Sequence, residues 1–110
     1  MNADVSRLNA LTGNQSAIQL MTADPAESQG IESFLRVASR ELAADRIMLA
    51  PAGSAANPRV SVLFGPFADR AAAGLALAKL SAALTQYSPY VRSIKSINDD
   101  LRPITAAIKP

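Results

Sequence analysis

Between Pro58 and Pro66 runs the segment Arg59-Val60-Ser61-Val62-Leu63-Phe64, and no other stretch constrains the fold so tightly. Its β-branched and aromatic residues suit a pleated, half-buried surface, and alternation puts Val60, Val62 and Phe64 on one side of a strand. Gly65-Pro66 reads as the end of that strand. Asp69 then stands where an N-cap is needed for the Ala- and Leu-rich helix expected over 70–86. Ala73, Ala76, Leu77, Leu80, Ala83 and Leu84 supply the buried side of that helix, with alanines small enough to let it lie close to a sheet.

Three further strands and one further helix can be read around this unit. Ala17-Ile18-Gln19-Leu20-Met21 is a first strand, closed by Asp24-Pro25. From Ala26 to Ala44, Ile31, Phe34, Leu35, Ala38 and Leu42 recur at spacings of three and four, the pattern of an amphipathic helix. Ile47-Met48-Leu49-Ala50 is a second strand, joined by the loop Pro51–Pro58 to the central one, and Tyr90–Ile97 is a fourth. The order is β-α-β-β-α-β. This is an α+β fold with a four-stranded antiparallel sheet and two helices on one face, of the ferredoxin-like kind. Residues 1–14 read as a linker, flexible N-terminus or loose helix, 15–98 as the folded domain, and 99–110 as a tail with one short turn of helix.

With both helices on one side, the other sheet face is open to solvent or a ligand. Ile18, Leu20, Val60, Val62, Phe64 and Val91 point inward. Gln19, Met21, Arg59, Ser61, Leu63, Tyr90 and Arg92 then point outward. Beyond Arg92 the alternation fails at Ile94, where a bulge is expected. Amide, ring and guanidinium groups are a binding vocabulary, although any solvated antiparallel face shows a similar mixture.

Composition removes much chemistry. Among 110 residues there is neither cysteine nor histidine. Disulfides, thiolate catalysis, His- or Cys-based metal sites and the Ser-His-Asp triad are therefore excluded. Asp99 and Asp100 are adjacent and diverge, Asp24 and Asp69 read as turn and cap residues, and Ser61 has no visible base. No catalytic residue, metal or cofactor is expected. The net charge is +2, with single cations scattered along the chain, which suits a few anion contacts better than a polyanion partner. No apolar run is long enough to span a membrane, and the first residues lack the features of a secretory signal.

Three strings together resemble one family. Ala17-Ile18-Gln19-Leu20-Met21 is similar to the opening strand of SPOR (sporulation-related repeat) domains. Val60–Asp69, with Gly65-Pro66-Phe67, looks like their third strand and its exit, and Ser88-Pro89-Tyr90-Val91-Arg92-Ser93-Ile94 like their closing strand. The resemblance covers about 16–97. It implies the same βαββαβ fold and non-catalytic binding of peptidoglycan through the open face, with a preference for glycan strands stripped of stem peptides, as at the division septum. It also implies a monomeric, periplasmic domain of a protein with an inner-membrane anchor. On this resemblance Gln19, Thr22 and Tyr90 match family positions, while Arg59 replaces a frequent aromatic and Pro51–Asn57 lacks an Arg-rich tip. The chemistry of a denuded strand fits: Tyr90 against a sugar face, Gln19 on an acetamide, Arg59 or Arg92 on a lactyl carboxylate, with Met21, Thr22 and Ser61 beside them.

Two other classes compete. RNA-recognition domains share the topology but stack bases on aromatics of strands one and three, where this chain has Gln19, Met21, Arg59, Ser61 and Leu63. A protein-interaction module would use an apolar patch of Met21, Leu63 and Ile94.

Overall fold

Val62 and its neighbours form the longest strand of a four-stranded sheet. The computed structural model describes residues 2–54 and 56–108, with side chains described for 4–54 and 56–101. The elements are α1 (Asn2–Ala10), β1 (Ser16–Ala23), α2 (Ser28–Glu41), a 3-10 turn (Ala44–Arg46), β2 (Ile47–Gly53), β3 (Pro58–Phe67), α3 (Arg70–Ala78), α4 (Ala82–Thr85), β4 (Tyr90–Ser93) and α5 (Ile94–Ile108). The sheet order is β2-β3-β1-β4, antiparallel throughout. The expected βαββαβ arrangement is present at its centre.

The inward-facing residues behave as alternation requires. Ile18, Leu20, Val62 and Phe64 pack with Phe34 and Ala38 of α2, Ala73 of α3 and Leu84 of α4. Val60, Ala23 and Ile31 extend this layer. Asp69 caps α3 as expected, its carboxylate accepting from the Ala72 N–H at 2.8 Å. The single helix expected over 70–86 is broken at Lys79–Ser81, which leaves Ala83 exposed.

Both chain ends depart from the sequence reading. Residues 2–10 are helical, one of the readings given for this segment, but the helix is docked and not loose, with Leu8 fully buried. Strand four stops at Ser93, and Ile94 opens a helix of 15 residues instead of forming a bulge. The physical reason is a second apolar cluster on the far side of the sheet. Leu8 of α1 and Ile94, Ile97 and Leu101 of α5 pack there on Ala17, Met48, Ala50 and Leu63. Helices therefore lie against both sheet faces, and the face expected to be open is covered in part. Asn98 Nδ2 donates to the Leu8 carbonyl at 2.9 Å and ties the two helices together. Of the expected tail, residues 109–110 lie outside the described residues.

The first three strands run longer than expected. β3 continues through Gly65-Pro66 to Phe67, and β1 approaches it so closely that a Cβ at Gly65 would lie 3.2 Å from the Ala17 Cβ. The β2–β3 connection shrinks from the expected Pro51–Pro58 to residues 54–57, of which 55 lies outside the described residues. Gly53 enters it at φ +74, a left-handed conformation that glycine adopts without strain. Arg46, at the opposite end of the hairpin, sits over the rings of Phe64 and Phe67 at 5.0 and 4.7 Å. It donates to the Pro66 carbonyl at 2.5 Å.

Candidate functional site

The far face is built from β1, β3 and β4 in register. Gln19 pairs with Leu63 on one side and with Tyr90 on the other, Thr22 pairs with Ser61, and Arg92 pairs with Ala17. Arg59 lies farther along β3, opposite Ala52. Arg59 and Leu63 are four steps apart, or about 13 Å along the strand. Six of the expected residues thus share this face: Gln19, Thr22, Arg59, Ser61, Tyr90 and Arg92.

Met21 does not. Between Gln19 and Met21 the register shifts, two steps on β1 opposing one step on β3, so Met21 pairs with Val62. A bulge of this kind reverses the alternation. Met21 therefore packs on the α2 side, against the clusters that hold Val62 and Val60. The same shift returns Thr22 to the far face. The expected apolar patch of Met21, Leu63 and Ile94 does not form, because Leu63 is buried beneath α1 and α5 and Ile94, the first residue of α5, is buried in the same cluster.

Exposure divides the six. Thr22 is exposed and Tyr90 is 50% exposed. Arg59 is half-buried, and no ion pair among the described residues involves it. Gln19 and Ser61 are buried in the floor. A cleft of about 410 Å³ lies between this floor and α5, lined by Ala50, Ser61, Leu63, Arg92, Ile97 and Asp100 among others.

Arg92 is bonded on three sides. Its Nη1 donates to Gln19 Oε1 at 3.0 Å, and its Nη2 donates to Ser96 Oγ at 2.9 Å and to Asp100 Oδ2 at 2.5 Å. The guanidinium that could have met a ligand carboxylate already holds one from its own chain. Ser96 and Asp100 had no place in the sequence reading. Their signal was spacing, since Ser96 and Asp100 lie four residues apart, on one stripe of a helix that opens just after Arg92.

The sequence model of the SPOR domain family matches residues 36–93, just over half of the chain. The chain belongs to the SPOR domain family. SPOR domains bind peptidoglycan and are found in bacterial envelope proteins; they are binding domains, not catalysts. The matched stretch runs from the middle of α2 to the end of β4, so β1 with Gln19 and Thr22, and α5 with Asp100, lie outside it. No curated protein matches the chain. Among the described residues no helix is long and apolar enough to cross a membrane, and no cluster of three or more acidic side chains could hold a metal ion.

Proposed function

We propose that this SPOR domain binds a peptidoglycan glycan strand along the uncovered part of its far face, and that it prefers strands lacking stem peptides. The observation that carries the reading is Tyr90, an aromatic ring half exposed and in register with a buried glutamine at the sheet centre. A sugar presents C–H groups to such a ring, and its N-acetyl group offers a carbonyl to a glutamine amide. Thr22 and Ser61 add hydroxyls along the same floor. Arg59 is the guanidinium for the lactyl carboxylate. That carboxylate is free only where the stem peptide has been removed, so an arginine contact at this point is itself a preference for denuded strands.

On this reading the domain works as a monomer in the periplasm, within a membrane-anchored envelope protein, and concentrates at the division septum, where denuded strands accumulate. Glutamine, tyrosine and arginine here bind and align; none is asked to move a proton.

Co-sedimentation with purified sacculi, untreated and after an amidase has removed the stem peptides, tests the proposal. More protein should pellet with the stripped sacculi, and Tyr90→Ala should reduce pelleting without lowering thermal stability. Equal pelleting on both preparations would remove the preference for denuded strands. No pelleting on either would remove the glycan reading.

A further inference from the structure

Arginine carries donors only. The amide atom of Gln19 that faces Arg92 Nη1 must therefore be its oxygen, and that assignment fixes the other half of the amide. The Gln19 NH2 makes no hydrogen bond among the described residues, and it is not sealed from solvent. It is left to donate on the far face, where Tyr90 is its cross-strand neighbour.

The other side of Arg92 is held just as firmly. Its side chain is 15% exposed, and Ser96 and Asp100 anchor it from the first turns of α5. Asp100 is 69% exposed, so the acidic end of the relay faces water while the arginine lies beneath it. A ligand carboxylate seeking Arg92 would have to displace one that is tethered to the same helix and always present. Arg92 is thus poorly placed to read a ligand's charge and well placed to hold an amide.

We propose that Asp100 and Arg92 are positioning residues that lock Gln19 as a hydrogen-bond donor, so that the subsite beside Tyr90 takes an acceptor oxygen, such as an acetamide carbonyl or a hydroxyl, without requiring a charge on it. This rests on the glycan reading above and deepens it. It divides the face in two. Charge is read at Arg59, and an acceptor oxygen of either kind is held at Gln19, about 13 Å away along the sheet. It also gives the C-terminal helix a role in recognition, since α5 supplies the carboxylate that holds the relay.

The test uses the full chain, labelled with 15N, and follows the Gln19 side-chain amide pair, identified by its disappearance in Gln19→Glu. Without glycan, Asp100→Ala should move that pair toward the position of the exposed Gln29, and Asp100→Glu should restore it. The wild-type chain is then titrated with denuded glycan strands and with the same strands after their lactyl carboxylates have been converted to amides. The Gln19 pair should shift with both forms. Asp100→Ala should bind the amidated form about fivefold more weakly, the loss of one hydrogen bond. A Gln19 pair that does not respond to Asp100→Ala in the free protein overturns the relay. So does a pair that shifts only with strands bearing free carboxylates. If neither glycan form moves any resonance, the glycan reading fails, and the ligand-free spectra still decide whether the relay exists.

Discussion

Replacing Leu8 with alanine separates a docked N-terminal helix from a linker. Leu8 is fully buried among Ala17, Met48, Leu63, Ile97 and Leu101, with Val5 and Leu11 packed beside it. Truncation to alanine removes three buried carbons, about 2.4 kcal/mol at about 0.8 kcal/mol for each. The cavity left behind raises this toward the range of about 2–5 kcal/mol found for such substitutions. An opposing effect sets a ceiling. A helix of nine residues has little stability of its own, so once its packing is weakened α1 can detach, and the loss cannot exceed what its docking contributes. That docking includes the Asp4 carboxylate accepting from the Leu49 N–H at 2.9 Å and Arg7 donating to the Asp45 carbonyl at 2.8 Å. We expect a loss of about 3 kcal/mol and a fall in Tm of roughly 13 °C. Urea titration and thermal melts followed by circular dichroism read it directly. Leu75→Ala, at a position 67% exposed on α3, is the control and should change stability by less than about 0.5 kcal/mol. A Leu8→Ala melt within about 2 °C of wild type, well inside the conversion used above, would refute the docked arrangement.

Two other stability changes follow from contacts described above. Arg46→Ala removes a guanidinium shared by Phe64 and Phe67 and a hydrogen bond to the Pro66 carbonyl, and should cost about 2 kcal/mol in urea titration; Arg46→Met, which keeps apolar bulk, should recover only part of it. Asp69→Ala should cost about 1 kcal/mol through the lost cap of α3, with Asp69→Asn close to wild type in the same assay.

The central strands were legible because their apolar residues alternate without interruption and are closed by turn residues. The helix face of the sheet followed from them. Met21 was misplaced because a bulge depends on how two strands align, and neither strand's sequence displays it. The chain ends were underread for a different reason. Val5 and Leu8 are too few to stand out as an amphipathic pattern, and they become meaningful only against Met48 and Leu63. At the C-terminal end the signal was available. Ile94, Ile97 and Leu101 are spaced by three and four, a helical period that begins where the alternation fails. Reading Ile94 as a strand residue hid α5, and with it Ser96 and Asp100. Most of the residues on the far sheet face were therefore foreseen, and the helices that cover part of it were not.

The position of β1 has a consequence for how the chain reaches this structure. β1 lies between β3 and β4, and Gln19 meets Leu63 on one side and Tyr90 on the other. Its two neighbours are thus drawn from opposite sides of α3 and α4. During synthesis from the N-terminus, β1 can pair with β3 before β4 exists, but one row of its backbone donors and acceptors must then wait in water. The apolar floor of Ala17, Met48 and Leu63 waits with it until Ile94, Ile97 and Leu101 arrive. Closure by such distant partners is slow relative to helix formation. β4 and the helix that follows it complete both the sheet and its second core, so a nascent chain halted before β4 would present an unpaired strand edge and an uncovered apolar surface at the same time.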